Sequence, residues 1–214
     1  MNSSHRSPWL IFGASSGVGL ALVHQGLAES RTIYALVRSP EKAAMLSALG
    51  VKVIAGDALD AGHVELACVT AGPDARIVST LGSPETDYAG NRLIIDTAER
   101  CELKYMLLVT SIGCGETWHT LSARARQAFG QAVREKSLAE SWLRTSTLNG
   151  CIVRPGGLKH GAATGMAIRV EGEAHGLIYR EDVARLIRQM IDDEQCYGHT
   201  FAVIDPTLVI LNKI

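Results

Sequence analysis

A chain of 214 residues in which 47% of the side chains are hydrophobic is long enough for one domain that buries roughly 70% of its unfolded surface. Its 21 basic and 22 acidic residues leave a formal net charge of −1 at pH 7. That balance excludes a global field drawing the chain to nucleic acid or an anionic membrane, and favours a small-molecule partner.

In chain order, Met1-Asn2-Ser3-Ser4-His5-Arg6-Ser7-Pro8 lacks the apolar core of a signal peptide. No later run is long and apolar enough to span a bilayer, so a cytoplasmic location is expected. Trp9-Leu10-Ile11-Phe12 then forms a buried-strand pattern that enters the turn Gly13-Ala14-Ser15-Ser16-Gly17-Val18-Gly19 and leaves through Leu20 to Ala28 with helical spacing. A second apolar run, Thr32 to Val37, closes a strand–helix–strand unit. The alternation continues with a helix from Glu41 to Leu49, a strand from Val51 to Ala55 and a helical piece from Ala61 to Ala67. A strand from Arg76 to Thr80, a helix from about Asp87 to Cys101 and a strand from Tyr105 to Thr110 follow.

The second half predicts a long helix from about Ser122 to Arg144 and a strand from Leu148 to Val153, then an irregular Gly- and Ala-rich stretch from Pro155 to Gly165. A short strand from Met166 to Glu171, a capped helix from Arg180 to Asp193 and a last strand from Thr200 to Ile204 complete the series. Strands and helices are expected to alternate strictly. Short strands without polar alternation imply a mainly parallel sheet covered on both faces, hence an α/β doubly wound Rossmann domain spanning residues 1–214. Residues 155–175 read as a substrate loop region within it, not as a linker. Cys68, Cys101, Cys114, Cys151 and Cys196 are odd in number, widely spaced and without a Cys-x-x-Cys pair, so reduced thiols are expected. The histidines share no ligand spacing such as i, i+4, and no metal site is expected.

The glycine turn carries the first functional reading. A strand turning sharply into a helix needs backbone freedom at Gly13 and an open approach at Gly17, and Gly19 lets the helix sit close to the sheet. The unpaired amides and the positive dipole end of that helix suit a pyrophosphate, with the Ser15 and Ser16 hydroxyls and the backbone at Val18 beside it. In doubly wound sheets ligands bind at the carboxyl ends of the strands, which draws attention to Gly13, Arg38, Asp57, Leu81-Gly82, Ser111 and Pro155-Gly156-Gly157.

With these elements placed, the chain resembles the short-chain dehydrogenase/reductase superfamily, in its atypical NAD(P)H-binding branch that includes NmrA-like proteins and biliverdin-IXβ/flavin reductases. The resemblance covers nearly the whole chain. It rests on Gly13-x-x-x-Gly17-x-Gly19, Gly56-Asp57, Val109-Thr110-Ser111-Ile112-Gly113, Val153-Arg154-Pro155-Gly156-Gly157-Leu158 and Arg180-Glu181-Asp182-Val183-Ala184. Where NAD sites place an acid after the second strand, this chain has Arg38, a cation suited to a 2′-phosphate, so NADP(H) is the expected cofactor. The alternative for Arg38 is a solvated surface arginine.

The resemblance further implies that Asp57 receives the adenine amino group with Ala58 against the ring. As a plain alternative, Asp57 would cap a helix. It also implies that Thr80, Leu81 and Gly82 line the ribose and nicotinamide riboside, and that Pro155, Gly156, Gly157 and Leu158 close over the nicotinamide amide. Ser111 matches the family's active-site serine, a donor to a substrate carbonyl or the nicotinamide, the alternative being a turn serine. Lys136 resembles the lysine of the Tyr-x-x-x-Lys pair, the alternative being an exposed helix lysine.

Four residues before that lysine, where the tyrosine should stand, the sequence has Ala132. General acid catalysis is worth about 10²–10⁴-fold, so ordinary alcohol–ketone chemistry is not expected. Three routes remain: an acid from elsewhere such as His119, His160 or Tyr88, a substrate that draws its proton from solvent, as flavins, quinones or tetrapyrroles can, or no catalysis. The reading reached is an NADPH-dependent reductase acting on a small conjugated or carbonyl-bearing substrate. The alternatives are an NADP-sensing regulator of NmrA-like type and an NADP-dependent epimerase or dehydratase. Either a monomer or a homodimer is compatible with the long Ser122 to Arg144 helix.

Overall fold

In the computed structural model, which describes residues 6–208, the first half alternates as its sequence pattern dictates. The elements are β1 (Trp9–Phe12), α1 (Gly17–Ala28), β2 (Ile33–Val37), α2 (Pro40–Ala48), β3 (Lys52–Ala55), α3 (Ala61–Ala71), β4 (Arg76–Ser79), α4 (Ala89–Arg100) and β5 (Tyr105–Val109). A 3₁₀ segment, Gly115–Thr120, leads to α5 (Ala123–Arg144) and β6 (Asn149–Pro155). The chain then makes β7 (Gly157–Lys159), β8 (Ile168–Glu171) and β9 (Leu177–Tyr179) without an intervening helix, followed by α6 (Arg180–Met190), a 3₁₀ turn at Glu194–Cys196, and β10 (Thr200–Ile204).

The main sheet has the order β3-β2-β1-β4-β5-β6-β10-β8, all parallel except β8, which runs antiparallel to β10 at the edge. The single doubly wound Rossmann domain is therefore the observed architecture. Strict alternation fails between β6 and α6. The stretch expected to be irregular from Pro155 to Gly165 contains β7, whose backbone pairs in parallel with β9 in a second, two-stranded sheet. Three-residue strands built around glycines carry too little periodicity to be read locally.

The strand period of two divides the core. Trp9, Ile11, Ile33, Ala35, Val78, Leu107 and Val153 face the layer of α1, α2 and α6. Leu10, Phe12, Leu36, Ile77, Met106 and Ile152 face α3, α4 and α5. On α6 the buried Val183, Leu186, Ile187 and Met190 follow the i, i+3, i+4, i+7 stripe that one apolar face requires. Helix starts are set by side-chain caps: Ser39 accepts from the Lys42 amide, Asp60 from the His63 amide and Ser122 from the Ala125 amide. No helix among the described residues is long and apolar enough to cross a membrane.

Candidate active site

Strand order reverses between β1 and β4, and a groove of about 470 Å³ opens there, at the carboxyl ends of β1, β2, β3 and β4. Its floor is the glycine turn. Gly13 sits at φ +87°, and a Cβ on Gly19 would lie 2.2 Å from the Gly13 carbonyl oxygen, so α1 can start against the turn only because both lack side chains. The α1 N-cap, Ser16, makes no side-chain cap, and the first turn has no acidic residue. Those amides and the positive helix end are left for an anion.

Of the residues singled out in the sequence, Gly13, Ser15, Ser16, Gly17, Val18, Arg38, Asp57, Ala58, Thr80, Leu81, Gly82 and Leu158 line this one groove. Thr80 braces it, its hydroxyl donating to the carbonyls of Phe12 and Gly13 at 3.2 Å each. At the β2–β3 end the Arg38 Nη1 donates to Asp57 Oδ2 at 3.2 Å, with the Arg38 side chain 78% exposed. Asp57 Oδ1 accepts from the Leu59 amide at 3.0 Å. That bond, together with Arg38, holds the Asp57 carboxyl below the usual range against a modest burial penalty. The helix-cap alternative for Asp57 is corrected, since Asp60 caps α3.

Other expected site residues lie outside the groove lining. Gly19 packs beneath it. Pro155 and Gly156 lie outside because they pair with β10 of the main sheet, the Gly156 amide donating to the Val203 carbonyl, and Gly157 starts the small sheet by donating its amide to Gly176. Ser111 is half-buried just past β5, and its hydroxyl makes no hydrogen bond among the described residues.

Lys136 is not the exposed helix lysine of the alternative reading, nor does it reach into the groove. Its Nζ donates at 2.7 Å to Asp87 and at 3.2 Å to the Leu81 carbonyl, and the two charged side chains are 13% and 3% exposed. Burial pushes the Asp87 carboxyl up despite the opposing pull of Lys136. Asn91 of α4 donates to the Asp87 and Thr86 carbonyls and accepts from Ser79, so the loop after β4 is tied from two helices. None of the three candidate replacement acids lines the groove. His119 and His160 are exposed, and Tyr88 packs edge-on against Trp142.

Arg180, the first residue of α6, lines the groove although its sequence position suggested only a helix opening. Its Nη1 is buried without a hydrogen-bond partner. Arg180 thus brings to the groove wall a positive charge that no carboxylate among the described residues neutralises, which suits an anion-bearing ligand. Sequence pattern could not have shown this, because α1 and α6 meet only through tertiary packing.

Residues 13–194 match the NAD(P)H-binding family. The structure of ChuY, an anaerobillin reductase from Escherichia coli O157:H7, is 47% identical and superposes with a TM-score of 0.89 over 95% of this chain and 99% of that one. ChuY from Escherichia coli strain CFT073 is 46% identical, with a TM-score of 0.85 over 95% of this chain and 100% of that one. A Bacillus subtilis protein named as an uncharacterized sugar epimerase, YhfK, is 26% identical over 196 residues, 89% of this chain and 91% of its own length. The chain therefore belongs to the NAD(P)H-binding family and is an NAD(P)H-dependent reductase of the atypical short-chain dehydrogenase/reductase type.

Proposed function

We propose that the protein uses NADPH to reduce a conjugated tetrapyrrole of the kind for which its relative is named. The observation that carries this reading is 47% identity across 95% of the chain to the anaerobillin reductase. The nicotinamide supplies the hydride. In this reading Ser15, Ser16, Gly17, Val18 and the start of α1 hold the phosphates, Arg38 takes the 2′-phosphate, and Asp57 and Ala58 frame the adenine. Thr80, Leu81, Gly82 and Leu158 shape the nicotinamide end and limit its contact with water.

Lys136 acts here as a positioning residue, fixing the Leu81 carbonyl from behind the groove wall. The Ser111 hydroxyl donates to the substrate. Ala132 offers no acid, and a conjugated acceptor needs none from the protein, because the charge left by hydride addition is delocalised until solvent protonates it. The same gap argues against an NADP-dependent epimerase, in which a side chain must take the proton from the sugar hydroxyl while the hydride leaves its carbon, and return it afterwards. The partner is the small-molecule substrate alone, met in the cytoplasm by a monomer or homodimer.

The test is anaerobic NADPH oxidation with linear tetrapyrroles, flavins, quinones and aldehydes as separate acceptors. Turnover confined to, or fastest with, tetrapyrroles is expected. No turnover with any acceptor, alongside tight NADP⁺ binding, would replace the reductase with a sensor.

A further inference from the structure

Two positive features converge beside Gly17. The first turn of α1 presents its amide end with no acid to answer it. Arg180 is a cation in the first turn of α6, the end of a helix where a cation is disfavoured. Its side chain reaches across to α1, with Cδ and Nε 3.6 and 3.7 Å from the place a Gly17 Cβ would take. Those distances are ordinary contact, so glycine is required there by the backbone at φ +55° and not by the room that Arg180 takes.

The guanidinium has no carboxylate within ion-pair distance among the described residues, and its Nη1 is buried and unpartnered. By contrast, the neighbouring acids of the same turn are occupied. Glu181 accepts from the Ala163 amide, and Asp182 accepts from the Thr164 and Gly165 amides and from Arg185. The turn therefore aims its acids at the 163–165 loop and its one cation at the groove.

Strand order fixes which part of a dinucleotide lies there. Arg38 and Asp57 follow β2 and β3, Gly17 follows β1, and Thr80 follows β4, so Gly17 stands between the 2′-phosphate end and the nicotinamide end. We infer that Arg180 is the charge partner of the cofactor's diphosphate bridge, the part that NADH and NADPH share, while discrimination between them is left to Arg38. This rests on membership of the NAD(P)H-binding family and not on the identity of the substrate.

Calorimetric titration of NADPH, NADH, ADP and 2′-AMP into wild type, Arg180→Met, Arg180→Lys and Arg38→Ala separates the possibilities. Methionine keeps an unbranched stem against Gly17 and removes the charge. A charge-assisted hydrogen bond lost at a partly buried site corresponds to roughly 10- to 100-fold in Kd. Arg180→Met is expected to weaken NADPH, NADH and ADP by one shared factor in that range and to leave 2′-AMP unchanged, with partial recovery in Arg180→Lys. The ligand-free Tm of Arg180→Met should equal or exceed that of wild type, because an unpaired buried charge is removed.

Loss confined to NADPH and 2′-AMP, or no loss for any ligand, overturns the assignment. A lowered ligand-free Tm with equal loss for all four ligands identifies a scaffold residue and also overturns it. Wild-type protein that bound neither NADPH nor NADH would instead overturn the cofactor reading itself, before any Arg180 variant is compared.

Discussion

At the scale of single residues, the groove works by what is left out as much as by what is present. A methyl group on Gly19 would be driven to 2.2 Å from the Gly13 carbonyl and 2.7 Å from the Thr80 hydroxyl. Backbone cannot yield as a flexible side chain can. Gly19→Ala is therefore expected to cost about 1–3 kcal/mol in denaturant titration and to weaken NADP⁺ binding at the same time. Arg38 is the opposite case, an exposed cation at the rim whose only charge partner among the described residues is Asp57. Arg38→Ala should weaken NADPH by about 10-fold and leave NADH unchanged, with the NADPH effect shrinking as salt rises. Equal loss for both nucleotides would remove the 2′-phosphate role. The buried thiols belong to this scale as well: burial pushes Cys68 and Cys151 up to about 12 and Cys114 up to about 11. Because the thiolate is the reactive form, these three should resist alkylation near neutral pH until the protein is unfolded, as mass spectrometry would record.

At the scale of elements, the loop after β4 depends on a charge pair between that loop and α5. Removing the ammonium of Lys136 leaves the Asp87 carboxylate, 3% exposed, without its counter-charge. Lys136→Met should cost about 3 kcal/mol at neutral pH and slow turnover through a displaced Leu81–Gly82 turn. The pH dependence has a definite sign. Asp87 is raised in the folded protein, and losing Lys136 raises it further, so the folded state holds the proton more tightly than the unfolded chain does. The variant should regain stability as pH falls and lose it as pH rises through that raised value. Unchanged kinetics and an unchanged pH profile would reduce Lys136 to an ordinary helix residue. Ala132 and the lysine spacing were legible in the sequence, but the Asp87 partner was not. It comes from a loop 49 positions away, where local periodicity carries no information.

At the scale of the whole molecule, a charge network centred on the buried Arg154 and Glu140 joins the exposed Glu116 of the 3₁₀ segment, α5, β6 and the residue after β5, on the side of the sheet away from the groove's adenine end. Arg154, 1% exposed, donates to Glu140 at 2.6 and 2.9 Å and to Glu116 at 2.6 and 3.2 Å, and Glu140 also accepts from Thr110. Arg154 pulls the Glu116 carboxyl from its ordinary 4.5 down to about 2. A lowered carboxylate contributes stability that is present above its ordinary value and is lost as pH falls toward about 2. Glu116→Gln should therefore show a shallower acid-induced loss of Tm across that window, measured against wild type in parallel melts. The sequence by itself determined the layered α/β design, the glycine turn, most of the groove lining and the missing tyrosine, because strand and helix periods and the needs of a tight turn are local. Only the tertiary structure decided that the groove opens where strand order reverses between β1 and β4, that residues 157–159 pair with 177–179, and that Arg180 faces Gly17. Those outcomes depend on which distant surfaces pack together and on which buried charges find a partner, and no local pattern records either.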